Sequence, residues 1–94
     1  MLVGVMTTQM YMHGLTSLKE KRSTVKSVIG RLRSRFNISI AEVDHQDKRS
    51  TALLGIAVVS NDARFIDQQL DAILTFMRND ARFYLGQVER ETFS

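Results

Sequence analysis

The sequence predicts an α+β fold of the ferredoxin-like type, in which a β-α-β-β-α-β chain builds a four-stranded antiparallel sheet with both helices on one face. Two stretches with apolar residues at helical spacing separate stretches in which apolar and polar residues alternate. The second and third alternating stretches are joined by a short polar run, as in a hairpin. With 94 residues, the chain has room for one hydrophobic core, so residues 1–94 are expected to form a single domain.

The first strand and the first helix are separated by a helix-start signal. Residues 2–12 alternate loosely, which predicts a strand. Ser17, followed three residues later by Glu20, forms a capping box, and a helix is predicted from Ser17 to Phe36. Its apolar positions fall within a stripe about 60° wide on a helical wheel. This stripe should pack on the sheet and consists of Leu18, Val25, Ile29, Leu32 and Phe36.

The middle of the chain predicts the hairpin. Residues 38–43 alternate as a second strand, and the polar run at 45–50 indicates a turn. Thr51 to Ser60 then forms the third strand. Because residues 52–59 are almost continuously apolar, we expect this strand to be buried on both faces in the middle of the sheet.

The last third of the chain predicts a helix and an edge strand. Ser60, Asn61 and Asp62 offer N-cap side chains for a helix that reaches about Asn79. The segment from Tyr84 to Phe93 alternates and carries many charges, which is typical of an exposed edge strand.

Composition limits the classes of protein to consider. The chain has no cysteine, so disulfides and thiolate metal sites are excluded, and a reducing cytoplasm is the expected location. No Lys or Arg precedes Lys19, which argues against a signal peptide. No apolar run approaches the roughly 18 residues of a membrane span, and no membrane association is expected.

Charge is the strongest indication of function. The predicted first helix carries seven basic residues and one acidic residue, so residues 1–36 sum to +6, whereas the remaining residues sum to −3. On a helical wheel, four bases lie on one side of the apolar stripe and three on the other. The four are Lys19, Arg22, Lys26 and Arg33, and the three are Lys21, Arg31 and Arg35. Such an element favours a polyanion or an acidic protein surface as partner.

A simpler interpretation is that these bases are the solvated sides of a surface helix, with long stems that cover apolar neighbours. A solvated helix normally mixes both signs of charge, however, and here only Glu20 offsets seven bases. Glu20 itself is assigned to the cap. The free amides at the helix start could hold a phosphate, but most capped helix starts bind only water.

The residues that could suggest a metal have no ligand spacing. They are His13, Asp44, His45 and Asp47, and a surface turn is the preferred interpretation. We therefore predict no metal and no cofactor. Nothing in the sequence places a serine on a strained turn for a Ser-His-Asp arrangement, so no enzymatic activity is predicted.

The sheet face turned away from the helices is predicted to be partly apolar. If Met6, Met10 and Met12 face the helices, the opposite face shows the other residues of the first strand together with alternate residues of the third. These are Val3, Val5, Thr7, Gln9 and Tyr11, and Leu53, Gly55, Ala57 and Val59. We predict that this face forms a homo-oligomer interface that includes Val3, Val5, Leu53 and Val59. Tyr11 is the only clear candidate there for stacking on a nucleic-acid base, which argues against base-specific recognition.

Three segments resemble the YlxP-like family of small bacterial proteins. They are residues 17–22 (SLKEKR), 35–47 (RFNISIAEVDHQD) and 54–62 (LGIAVVSND). The resemblance spans nearly the whole chain and implies a ferredoxin-like fold but no activity, since the family is one of unknown function. The family's genes often lie beside those of translation initiation and ribosome-maturation factors, which implies by association a role around RNA or the ribosome. Relatives often carry an apolar Leu-Trp pair where this chain has Lys48 and Arg49.

We predict a cytoplasmic, non-enzymatic module that binds RNA or a ribosomal component. The residues assigned to that contact are Lys19, Lys21, Arg22, Lys26, Arg33, Lys48 and Arg49. The alternative from another class is a structural or regulatory domain that self-associates through its open sheet face, and a small-molecule enzyme comes third.

Overall fold

The computed structural model describes residues 1–94 and has the predicted order of elements. These are β1 (Leu2–Met12), α1 (Leu18–Arg35), β2 (Ser39–Asp44), β3 (Thr51–Ser60), α2 (Ala63–Arg78) and β4 (Phe83–Phe93). The strands form one sheet in the order β2-β3-β1-β4, and all neighbours are antiparallel. The ferredoxin-like prediction is confirmed.

Side-chain caps fix the starts of both helices. The Ser17 hydroxyl accepts a hydrogen bond from the Glu20 amide at 3.1 Å, and the Asp62 carboxylate accepts one from the Arg64 amide at 2.9 Å. Each cap satisfies an amide that has no partner inside its helix. The capping signals in the sequence therefore located the helix starts correctly.

The hydrophobic core lies between the sheet and the two helices. Met6, Met10 and Met12 of β1 face the helices and are buried, as predicted. α2 contributes one continuous apolar face, consisting of Ile66, Leu70, Ile73, Leu74 and Met77.

The prediction that β3 is buried on both faces is wrong for this chain. Ala52, Leu54, Ile56 and Val58 are buried beneath the helices. The residues between them point to the opposite face, where Leu53 is half-buried and Val59 is exposed. β3 is a central strand, but both helices lie on one side of the sheet, so the other side has no covering layer.

The buried face of α1 is rotated from the predicted stripe. Val25 and Leu32 are buried as expected, but Val28 and Lys21 complete the face, while Leu18 and Ile29 are only half-buried. The rotation moves one flank of the stripe towards β2 and brings Lys21 beneath the helix.

A bulge in β4 interrupts its pairing with β1. Leu85 lies opposite Met10 and Val88 lies opposite Thr8, so two residues of β4 span the single Gln9 of β1. In a regular strand, residues whose numbers differ by an odd number point to opposite faces. Because of the extra residue, Tyr84 and Phe93 both lie on the open face although their numbers differ by nine. β4 is an edge strand, as predicted, and β2 is the other edge.

Neither helix combines the length and the apolar character that would be needed to cross a membrane.

Candidate nucleic-acid interface

The basic side of α1 borders a shallow groove against the edge strand β2, which we call the α1–β2 groove. Arg22, Val25, Lys26 and Ile29 form its helical wall. Its other wall is formed by Glu42 of β2 and by Gln46, just beyond that strand. Half-buried Ile29 follows Lys26 by about one turn and adds an apolar side chain to this wall, because the buried face of α1 is centred on other residues.

Three bases of this side have no acidic partner. Lys19, Arg22 and Lys26 are exposed and take part in none of the five ion pairs of the structure. Arg33 extends the same side and donates from Nη2 to the backbone carbonyl of Ile40 at 3.0 Å. Four of the predicted contact residues are therefore brought together along one side of one helix.

The assignment of Lys21 to this contact surface is wrong. Its side chain is fully buried, and Nζ lies 2.5 Å from the Glu42 carboxylate. The same ammonium donates to the backbone carbonyls of His45 at 2.8 Å and Gln46 at 3.4 Å. An ammonium with three protein acceptors and no exposed surface cannot contact a phosphate outside the fold.

Lys21 instead organises the connection between β2 and β3. His45 has a φ of 68°, a left-handed conformation that is uncommon for a residue with a side chain. The bond from Lys21 to the His45 carbonyl holds that backbone, and Gln46 Nε2 donates to the carbonyl of Glu42 at 3.3 Å. The shape of the connection thus depends on a helix residue 24 positions earlier.

Lys48 and Arg49 lie in this connection and are exposed. Lys48 shares a surface depression with Asp44 and Asp47, so two carboxylates lie near its positive charge. These bases add less to the local field than the unpaired cations of α1.

The start of α1 already has an anionic occupant. Oε2 of Glu20 accepts a hydrogen bond from the amide of Thr16 at 2.9 Å. In a standard capping box this carboxylate would accept from the amide of the N-cap residue, here Ser17. A carboxylate at this end of the helix satisfies its positive dipole, which removes the main reason to place a phosphate there.

The opposite side of α1 is used for packing and ion pairing. The guanidinium carbons of Arg31 and Arg35 lie 5.2 and 4.7 Å from the centre of the Phe76 ring. Arg31 is also 3.6 Å from Asp80. Arg82 hydrogen-bonds to both carboxylate oxygens of Asp80, and this contact holds the pKa of Asp80 below its ordinary value.

Asp80→Asn should destabilise the fold at neutral pH by up to about 1 kcal/mol, the upper end for an ion pair at the surface. Because the pKa of Asp80 is lowered in the folded state, its contribution is fully present above the ordinary value of 3.8 and is lost as the pH falls through the folded value. Urea unfolding of both proteins from pH 7 downwards measures this. A difference in stability that does not shrink in acid would contradict the assignment.

The open sheet face is apolar and acidic. Val3, Val5 and Leu53 are half-buried on it and Val59 is exposed, so the four predicted interface residues do share one face. Tyr11 stacks on Tyr84 of β4 with ring centres 5.1 Å apart. β4 contributes the carboxylates of Glu89 and Glu91 to the face, opposite Thr7 and Val5, and at the other edge Asp44 of β2 pairs with Leu53.

Two aromatic residues of this face were missed by sequence reasoning. Tyr84 and Phe93 are 56% and 50% exposed on it. Strict alternation would have placed them on opposite faces, and only the bulge brings them together. The two carboxylates of the same strand repel phosphates, so the aromatic residues do not make this face a nucleic-acid surface.

Of the four residues considered as metal ligands, Asp44, His45 and Asp47 line one surface depression and His13 does not. The ring of His13 lies 5.3 Å from that of Tyr84, whereas His45 belongs to the connection held by Lys21. No three His, Asp or Glu side chains form a group that could hold a metal ion.

Comparison with known proteins gives a family and a curated relative. Residues 3–90 match the family model described as "Protein of unknown function (DUF503)". Over 76 residues, the chain is 32% identical to the uncharacterised protein YlxP of Bacillus subtilis (strain 168), covering 81% of this chain and 83% of that protein.

Similar solved structures share the fold. The de novo designed protein Foldit4 gives a TM-score of 0.55 at 14% identity, over 100% of this chain and 98% of its own. A dimeric ferredoxin-like protein from an uncultured marine organism gives 0.51 at 11% identity, over 99% and 96% of the two chains. At such identities the likeness concerns the fold alone.

Proposed function

Since the chain belongs to the DUF503 family of proteins of unknown function, we propose its role from its surface. We propose that it is a non-enzymatic module of the cytoplasm that binds RNA through the α1–β2 groove. The contact residues are Lys19, Arg22, Lys26 and Arg33, with a smaller contribution from Lys48 and Arg49. A ribosomal RNA is the partner that the family resemblance favours.

The proposal rests on the uneven distribution of ion pairs among the basic residues. Carboxylates neutralise Arg82 and Arg90 on other parts of the molecule, and Glu42 of the groove wall is already paired with buried Lys21. None neutralises Lys19, Arg22 or Lys26. A stripe of unpaired cations costs self-repulsion, and a polyanion relieves that repulsion while it releases its own counterions.

The spacing of the cations fits a nucleic-acid backbone. Lys19 and Arg33 are 14 residues apart on one helix, which corresponds to about 21 Å at 1.5 Å per residue. Contacts of this kind position a strand without reading its bases. The groove offers no aromatic side chain for stacking, so modest sequence preference is expected.

The second candidate function is self-association as a structural or regulatory domain. Exposed apolar residues on the open face favour it, and one similar structure is described as dimeric. The two candidates are compatible, because they use opposite faces of the molecule.

A pull-down from bacterial lysate, with and without ribonuclease, tests the RNA proposal. RNA should be recovered with the protein at low salt, and any ribosomal proteins in the eluate should disappear after nuclease treatment. Direct titration with single-stranded and duplex RNA in low salt should show binding to both. If the same protein partner were recovered after nuclease treatment and no affinity for RNA were measurable, the RNA proposal would be wrong. The partner would then be an acidic protein.

A further inference from the structure

We infer that the open sheet face joins two copies of this chain into a two-fold dimer whose symmetry axis runs parallel to the strands, so that β4 of each copy lies over β2 of the other. The inference does not depend on RNA binding, because the two surfaces lie on opposite sides of the sheet.

Exposed apolar side chains are concentrated on this face. Six large hydrophobic residues of the chain are exposed, and four of them lie here. Val59 and Phe93 flank Val3 in the register of the sheet, and the side chain of Val43 covers Gly55. Single exposed apolar residues are ordinary, but a contiguous patch indicates a partner surface.

The two central strands supply an uncharged middle for the interface. Val3 pairs with Val59, Val5 with Ala57, Thr7 with Gly55, and Gln9 with Leu53. None of these side chains is ionisable, and small residues beside larger ones allow two such faces to interdigitate. In a two-fold dimer both copies contribute this same patch, so two uncharged surfaces would meet in the middle of the interface.

The carboxylates of β4 select the orientation. A two-fold axis that runs across the strands would stack β4 of one protomer on β4 of its partner. Glu89 and Glu91 of the two protomers would then lie close to one another. Like charges enclosed between two sheets are strongly unfavourable.

An axis parallel to the strands avoids that repulsion. Glu91 and Ser39 lie in one row across the sheet, because Val5 pairs with both Glu91 and Ala57, and Ala57 pairs with Ser39. Glu89 shares the next row with Ala41 in the same way. Rotation about the strand direction therefore sets Glu91 over Ser39 and Glu89 over Ala41, both small and uncharged.

Light scattering at micromolar concentration tests the dimer. The parent should have twice the monomer mass of 10.7 kDa. Val59→Lys should return it to the monomer, and because Val59 is 60% exposed, this change should not disturb the fold. Phe65→Lys is the matched control, because Phe65 is an exposed apolar residue of α2 and its variant should stay dimeric.

The absence of cysteine allows a direct test of orientation. A mixture of Ser39→Cys and Glu91→Cys chains should form a mixed dimer with a short bismaleimide. A mixture of Glu89→Cys and Glu91→Cys chains should not, and Phe65→Cys serves as the control for random collisions. A monomeric parent, a Val59→Lys variant that stays dimeric, or preferential linkage of the Glu89→Cys and Glu91→Cys pair would each overturn the inference.

Discussion

Replacing Lys21 by methionine should lower the free energy of unfolding by about 3 to 5 kcal/mol, because the change leaves the Glu42 carboxylate without its buried partner. The Lys21 side chain is fully buried and that of Glu42 is only 16% exposed. The carbonyls of His45 and Gln46 would also lose their donor. Small domains are stable by about 5 to 15 kcal/mol, so this variant should lose a large share of its stability.

A double variant separates the loss of pairing from the loss of packing. Lys21→Met combined with Glu42→Leu removes both charges, and replacing a buried pair by apolar residues is often nearly neutral. We expect it to recover much of the stability in urea unfolding. A Lys21→Met protein within about 1 kcal/mol of the parent, the range of a surface pair, would show that the ammonium is not held as described.

Replacing Arg22 and Lys26 together by glutamine should weaken RNA binding about 25- to 60-fold at 0.1 M salt. Each phosphate contact contributes about 0.7 to 0.9 to the slope of log affinity against log salt. With four contacts, the parent slope should be about −3 to −4, and the variant should be shallower by about 1.4 to 1.8. Titrations of a fluorescent RNA at several salt concentrations measure both quantities.

The matched control is Arg64→Gln with Arg78→Gln. Both residues are exposed on α2 and belong to no ion pair, so this variant loses the same net charge elsewhere. Its affinity should fall far less. Equal losses of affinity in the two variants would mean that RNA binding depends only on the net charge of the protein. An unchanged affinity in the Arg22→Gln, Lys26→Gln variant would mean that the basic side of α1 is only a solvated surface.

Local signals in the sequence were sufficient for the elements of the fold. The caps at Ser17 and Asp62 and the alternation of residues 2–12 act over a few positions, and the structure agrees with them. Lys21 was misplaced because a lysine was read as a surface residue. Its spacing of four and seven residues from Val25 and Val28 is the spacing of a buried helix face, so a signal was present.

The open face was harder to predict because it depends on pairing between distant strands. Leu53 and Val59 were placed on it correctly by alternation within one strand. Tyr84 and Phe93 could not be placed together in that way, because the extra residue of β4 is defined only by its register with β1.

The bulge also marks the one place in β4 where the chain can lose a residue and keep both of its surfaces. Between Leu85 and Val88 the strand contains Gly86 and Gln87, and both lie opposite the single Gln9. The loss of either one in a descendant would leave Val88 opposite Thr8, so Glu89, Glu91 and Phe93 would remain on the open face. The loss of a residue between Val88 and Phe93 would instead exchange the faces of the residues beyond it.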